Sequence, residues 1–159
     1  MAADRVVAPS TESVLALKGR SLGPSEWFAI EQERVDAFAR SVDEWHWAHN
    51  DVALAARGPF GGTIGYAHLT LGLVPHLFAS LLAVAEGEDA MFYGYNKVRF
   101  PTAVPVGSAI RMRADIVDVV DLGFGEQLTV DLTIEIDGVE RPACVAQALF
   151  RHYPVKAPD

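Results

Sequence analysis

The stretch HLTLGLVPHLFASLL (residues 68–82) decides the fold class, because its apolar side chains leave almost no polar face. It predicts a long helix that is apolar on nearly every side. Such a helix is normally wrapped by other structure instead of lying on a surface. The apolar positions are Leu69, Leu71, Leu73, Leu77, Phe78, Leu81 and Leu82.

Four segments after this helix have the composition of β-strands, since their apolar side chains alternate or are β-branched. They are residues 91–100, 110–120, 126–136 and 141–153, with turn signals at Gly123–Gly125 and Asp137–Gly138. Consecutive strands joined by short turns pair antiparallel. The chain is therefore predicted to be an α+β protein with a bent antiparallel sheet around one long apolar helix. We expect one domain over residues 1–159, with a loosely packed segment at 1–20.

Composition excludes several classes of function. The formal net charge of −8 over 159 residues argues against nucleic acid as a partner, because nucleic-acid affinity comes mostly from Lys and Arg. The uncharged stretch between Arg57 and Glu86 is long enough to span a bilayer, but its five glycines and two prolines favour a buried helix. A single cysteine and the absence of a secretory pattern in residues 1–10 lead us to expect a cytoplasmic protein.

No metal site is expected from the histidines or from the one cysteine. The five histidines, at positions 46, 49, 68, 76 and 152, have no zinc-like spacing backed by a third ligand. His68 and His76 belong to the apolar helix and are expected to be hydrogen-bonded core residues. Cys144 lies in a predicted strand and is expected to be a packed small side chain and not a nucleophile.

The polar, aromatic-rich loop SVDEWHWAHND (residues 41–51) carries the candidate chemistry. Glu44 and His49 could share one water molecule, with one group positioning it and the other taking its proton. The spacing alone also fits a solvated surface loop. Trp45 and Trp47 suggest a partly buried wall, where burial would move side-chain pKa values toward working pH.

Glycines before the apolar helix suggest a second element of a site. Gly61, Gly62 and Gly65 could simply give the loop flexibility. They also precede the backbone amides at the start of a buried helix, and the two interpretations are compatible. Those amides lack intrahelical partners and can hold developing negative charge.

Several motifs together are recognisable as those of a family. They are the acid-x4-His loop, GPFGGTI (58–64), YGYNKVRFPTAVPVGSAIR (93–111) and RPACVAQALFRHY (141–153). Over residues 20–153 the chain resembles the MaoC-like dehydratases, specifically the NodN-type, (R)-specific enoyl-CoA hydratase branch. The resemblance implies a hot-dog fold and a homodimer or higher homo-oligomer. It also implies hydration of trans-2-enoyl thioesters to (3R)-hydroxyacyl thioesters, or the reverse. Coenzyme A or an acyl carrier is then part of the substrate, and no separate cofactor is expected.

The resemblance also assigns site residues. His49 takes the place of the family's catalytic His, and Glu44 that of its Asp. The Ala-His-Gly that normally opens the helix reads Gly65-Tyr66-Ala67, so the backbone amide of Ala67 would polarise the thioester carbonyl. The substrate pocket is expected to include Asp43, which replaces a family Gly, together with His46, Trp47 and Asn96.

Two further expectations concern the second half of the chain and the reaction itself. Strand alternation would place Asn96, Val98 and Phe100 on one face of the sheet. The same fold could instead dehydrate or cyclise a specialised, polyketide-like intermediate on a carrier protein. It could also hydrolyse a thioester, or bind an acyl ligand without chemistry.

Overall fold

The computed structural model describes residues 4–84 and 90–153, and this part of the chain contains five helices and eight strands. The helices are α1 (Thr11–Leu15), α2 (Gln32–Val42), α3 (Trp47–Asn50), α4 (Val52–Ala55) and α5 (Ala67–Ala79). The strands are β1 (Val6–Ala8), β2 (Ser21–Leu22), β3 (Phe28–Ala29), β4 (Leu82–Val84), β5 (Met91–Arg99), β6 (Ala109–Asp121), β7 (Glu126–Ile136) and β8 (Val139–His152).

Six of the strands form an antiparallel sheet in the order β2-β6-β7-β8-β5, with β3 also paired to β6. Along β7 every second residue is buried, as expected for a strand with one face on the core. The predicted turns fall between β6 and β7 and between β7 and β8. The α+β prediction and its four long strands are therefore confirmed.

Helix α5 lies in the core, as its composition predicts. Its buried side chains pack under the sheet, and the ring of Phe78 stacks on that of Phe150 in β8 at a centroid distance of 4.1 Å. Pro75 lies inside the helix and leaves the carbonyl of Leu71 without its usual N–H donor. The hydroxyl of the half-buried Tyr95 in β5 donates to that carbonyl at 3.2 Å and so replaces the missing N–H donor.

The helix is shorter than the apolar run suggests. It ends at Ala79, and Leu82 begins β4, which pairs in parallel with β1. An apolar run alone cannot distinguish a buried helix from a buried strand that follows it. No helix within residues 4–84 and 90–153 is long and apolar enough to cross a membrane.

The expectation of a loosely packed segment at residues 1–20 is wrong for residues 4–20, and residues 1–3 lie outside the described part. Ala8, Val14 and Leu17 are buried in the same hydrophobic cluster as α5. The hydroxyl of Ser10 accepts from the backbone N–H of Ser13 and caps α1. Apolar residues in this segment therefore close one side of the core.

Candidate active site

A cavity of about 360 Å³ lies at the N-terminal end of α5. It brings together five residues that the sequence singled out: Glu44, His49, Gly65, Tyr66 and Ala67. Side chains from the distant second half of the chain complete its wall. The additional lining residues include His68, Thr70, Phe100, Thr102, Val104 and Ala143.

The imidazole of His49 is held in one orientation and one tautomer. Its Nδ1 lies 2.7 Å from the carbonyl oxygen of Ile64. Because a carbonyl oxygen only accepts, Nδ1 carries the proton and Nε2 keeps a free lone pair in the neutral ring. The ring also stacks on Tyr66 at a centroid distance of 3.8 Å. His49 therefore presents a base from a fixed position.

The end of α2 positions Glu44. The helix stops at Asp43, which adopts a left-handed conformation with φ of 53°. Glycine takes this conformation without steric cost, and aspartate is among the few other residues that tolerate it. The carbonyl of Glu44 then accepts a hydrogen bond of 2.8 Å from the hydroxyl of Tyr66. The backbone of Glu44 is thus tied to the start of α5.

A polar network holds α2, α3 and the start of α5 together. The carboxylate of Asp36 accepts from the side-chain amides of Asn50 at 2.8 Å and Gln32 at 2.9 Å. The side-chain oxygen of Asn50 lies 2.7 Å from the hydroxyl of Tyr66 and shares its one proton with the Glu44 carbonyl. The side-chain oxygen of Gln32 accepts from the hydroxyl of Thr63 at 2.6 Å. We call the five residues whose side chains take part, Gln32, Asp36, Asn50, Thr63 and Tyr66, the junction network.

Two pKa shifts follow from this arrangement. The amide donors of Asn50 and Gln32 stabilise the charged form of Asp36 and hold its pKa below the usual range. Burial raises the pKa of the Tyr66 hydroxyl, and the nearby Glu44 charge adds to this effect. Asp36 is therefore an acceptor and Tyr66 a donor at neutral pH.

The first turn of α5 is free to bind a negative charge. Tyr66 precedes the helix and gives it no side-chain cap. The backbone amides of Ala67 and His68 donate to no acceptor within the described residues. Unpaired amides at a helix start carry partial positive charge and point away from the helix. Ala67, the predicted oxyanion donor, lines the same cavity as Glu44 and His49.

The structure does not bring Asp43, His46 or Trp47, which were predicted to lie at the substrate pocket, into the lining of this cavity. Nδ1 of His46 accepts from the N–H of Ala48 at 3.3 Å and caps α3. Trp47 packs over Gly58, where a Cβ atom would lie 2.7 Å from its ring. Trp45 and Trp47 are partly buried as expected, with exposed fractions of 58% and 37%, but neither lines the cavity.

Asn96 also lies outside the cavity. The pairing of β5 with β8 shifts between Tyr95 and Lys97, so Asn96 is an extra residue in a β-bulge. A bulge interrupts the alternation on which the prediction depended. The side chain of Asn96 instead donates to Gln147 at 2.8 Å, whereas Phe100 does line the cavity.

The burial predicted for the two histidines of α5 is wrong, whereas the burial predicted for Cys144 is confirmed. His68 and His76 are exposed instead of hydrogen-bonded in the core, and His68 lies at the cavity. Cys144 is fully buried, and burial raises the pKa of its thiol to about 11. The thiol therefore stays protonated and packed. Within residues 4–84 and 90–153 no three His, Cys, Asp or Glu side chains cluster as metal ligands.

A hot-dog architecture with a carboxylate and an imidazole at the start of its central helix defines the class of protein. The chain belongs to the MaoC-like domain family, whose model matches residues 14–138. The predictions of this family and of the hot-dog fold are therefore confirmed.

Two curated relatives and one solved structure illustrate the likeness. The chain is 43% identical over 144 residues to 3-hydroxyacyl-thioester dehydratase Z of Mycobacterium tuberculosis, covering 90% of this chain and 95% of that protein. It is 33% identical over 131 residues to nodulation protein N of Rhizobium leguminosarum bv. viciae, covering 80% and 81%. The crystal structure of the truncated HadBC (3R-hydroxyacyl-ACP dehydratase) complex of M. tuberculosis superposes with a TM-score of 0.68 at 16% identity, covering 86% and 97%.

Proposed function

We propose that this protein is a hydro-lyase that adds water to trans-2-enoyl thioesters, giving (3R)-hydroxyacyl thioesters, or catalyses the reverse dehydration. One observation carries the proposal: Glu44, His49 and the unpaired amide end of α5 line a single cavity. The name of the 43% identical relative, a 3-hydroxyacyl-thioester dehydratase, supports the same reaction. We propose that coenzyme A or an acyl carrier enters as part of the substrate, and that Glu44 and His49 activate the water without a separate cofactor.

The proposed mechanism uses one water molecule. Nε2 of His49 and the carboxylate of Glu44 both accept hydrogen bonds, so together they hold the two protons of this water and direct its oxygen at C3. As the C3–O bond forms, one of the pair takes a proton and the π electrons of the C2–C3 bond move to the thioester oxygen. The proton then passes to C2 and the electron pair returns, so the elements of one water are added.

The amide of Ala67 stabilises the intermediate state. Negative charge collects on the thioester oxygen before C2 is protonated, and a fixed donor at that position is worth on the order of 10²–10³ in rate. Helix α5 contributes its partial positive charge at the same end. The donor is in place before the reaction starts, so no reorganisation is needed.

The test is the loss of enoyl absorbance with crotonyl-CoA and longer trans-2-enoyl-CoA substrates, followed by chiral analysis of the product. We expect His49→Gln and Glu44→Gln each to lower the rate by about 10²–10⁴, the range of general acid–base catalysis. His76→Gln, at an exposed position away from the cavity, is the matched control. Absence of turnover on every enoyl thioester, or full activity in both variants, would contradict the proposal.

We also propose that two copies pair through β5. This strand is at the edge of the sheet, and the exposed fractions of its Met91 and Tyr93 are 63% and 56%. An edge strand with apolar side chains readily pairs with another strand. Light scattering should give a dimer for the wild type and a smaller mass for Met91→Lys, whereas Val120→Lys on β6 should remain dimeric. A monomeric wild type would contradict this.

A further inference from the structure

Thr102 carries an unusual oxygen. Its Oγ1 is the one buried side-chain nitrogen or oxygen within residues 4–84 and 90–153 that has no hydrogen-bond partner. The residue lines the cavity that also holds Glu44, His49 and Ala67. Buried hydroxyls are normally paired, because leaving one unpaired costs stability. Thr102 as a whole is only half-buried, so rotation about its Cα–Cβ bond can present this unpaired hydroxyl to a ligand in the cavity.

Backbone hydrogen bonds between two segments place Thr102 near the start of α5. The segment before β6 runs antiparallel to the loop that precedes the helix. The N–H of Val106 donates to the carbonyl of Thr63 at 2.9 Å, and the N–H of Gly65 donates to that of Val104 at 2.8 Å. Thr102 lies two residues before Val104, and Ala67 lies two residues after Gly65. This register places Thr102 opposite Ala67, at the first turn of α5.

We propose that the Thr102 hydroxyl donates a hydrogen bond to the thioester carbonyl oxygen of the bound substrate, beside the amide of Ala67. This inference deepens the proposed function and rests on it. During hydration the carbonyl oxygen gains the electron pair of the C2–C3 bond, so the hydrogen bond becomes stronger in the transition state than in the ground state. Thr102 keeps its proton throughout, and no bond to it forms or breaks.

The surroundings strengthen such a bond. Phe100, Val104 and Ala143 contribute apolar surface to the same wall. Electrostatic interactions are stronger where the local dielectric is low. The two donors differ in mobility. The amide of Ala67 is fixed by the helix, whereas the hydroxyl of Thr102 can rotate toward the thioester oxygen as negative charge grows on that oxygen.

The kinetic test compares Thr102→Val, which keeps the shape but removes the hydroxyl, with Thr102→Ser, which keeps the hydroxyl. With crotonyl-CoA we expect kcat to fall about 10²-fold in Thr102→Val with KM within about threefold of wild type, as for the loss of one oxyanion donor. Thr102→Ser should stay within about fivefold of wild-type kcat. Thr129→Val, the same chemical change on β7 outside the cavity, is the matched control.

A spectroscopic readout separates this inference from the proposed function. Butyryl-CoA labelled with ¹³C at the thioester carbonyl cannot react, and its infrared stretch falls in frequency when the oxygen accepts a hydrogen bond. We expect a smaller fall in Thr102→Val than in the wild type, with Thr102→Ser close to the wild type. This result supports the Thr102 bond even if the wild type hydrates no enoyl thioester.

Several outcomes would overturn the inference. An unchanged carbonyl frequency in Thr102→Val, with turnover intact, removes Thr102 from the carbonyl while leaving the proposed function standing. An equal loss of kcat in Thr102→Ser and Thr102→Val assigns the side chain to packing. A wild type that neither binds butyryl-CoA nor hydrates crotonyl-CoA overturns both proposals.

Discussion

The sheet of β5–β8 and the junction network are held together by different forces. In the sheet, apolar side chains alternate with exposed ones, and the inner face closes on α5. In the junction, a few hydrogen bonds join polar side chains that are up to 31 residues apart in the sequence. The sheet is stabilised by buried apolar area, whereas the hydrogen bonds of the junction network fix the orientations of the side chains they join.

This difference separates stability from geometry. A change in the sheet should lower the free energy of unfolding and leave the orientation of Glu44 and His49 intact in the molecules that remain folded. A change in the junction should act mainly on the site, because Tyr66 contacts both the carbonyl of Glu44 and the ring of His49.

The largest effect on stability is expected in the sheet. Phe150→Ala removes a fully buried ring that stacks on Phe78, so it should lower the free energy of unfolding by about 3–5 kcal/mol. Chemical denaturation measures this change. Phe124→Ala, at a ring that is 59% exposed, should cost much less and is the control. Equal losses of unfolding free energy in the two variants would contradict the claim that the buried core of the sheet supplies the stability.

Tyr66→Phe tests the role of the junction network in placing the site residues. The change removes one hydroxyl that lies within hydrogen-bonding distance of Asn50 and of the Glu44 carbonyl, while keeping the ring that stacks on His49. We expect a loss of about 1 kcal/mol, since a hydrogen bond at a half-buried position is removed. The hydration rate should fall about tenfold, because small misplacements of catalytic groups are costly. Undiminished activity at unchanged substrate affinity would show that the junction does not position Glu44.

Asp36→Asn is expected to have the smallest effect, and that effect should depend on pH. Its hydrogen bonds lower the folded-state pKa, so their contribution is present above the unfolded pKa of about 3.9 and is lost as pH falls through the folded value. At pH 7 the variant should be less stable than wild type by only about 1 kcal/mol, because solvent screens the interactions of this partly exposed carboxylate. Thermal melts of the variant and the wild type should begin to converge as pH falls below about 4, and Glu33→Gln on the same helix is the control. A difference that persists at low pH would contradict the assignment.

Local patterns predicted the sheet well. The bounds of β7 are those of the alternating segment, and the other long strands agree within two residues. The pattern failed at Asn96, because a bulge inserts a residue that alternation cannot reveal. It also failed for residues 4–20, whose burial depends on contacts with distant parts of the chain.

The site was only partly predictable. The acid-x4-His spacing identified Glu44 and His49, and the loop before α5 identified Ala67. Asp36, Gln32 and Thr63 gave no local signal, because their partners come together only after folding. Thr102 lines the cavity because the segment after β5 pairs with the loop before α5. In the sequence, this pairing is marked only by the proline-rich motif that follows β5.

The central claim is that a carboxylate and an imidazole hold one water molecule at the start of α5. A crystal structure at a resolution that orders solvent tests this most directly. We expect a water within about 2.6–3.2 Å of both a Glu44 carboxylate oxygen and Nε2 of His49. Side chains turned away from each other, with no solvent site common to both, would contradict the claim.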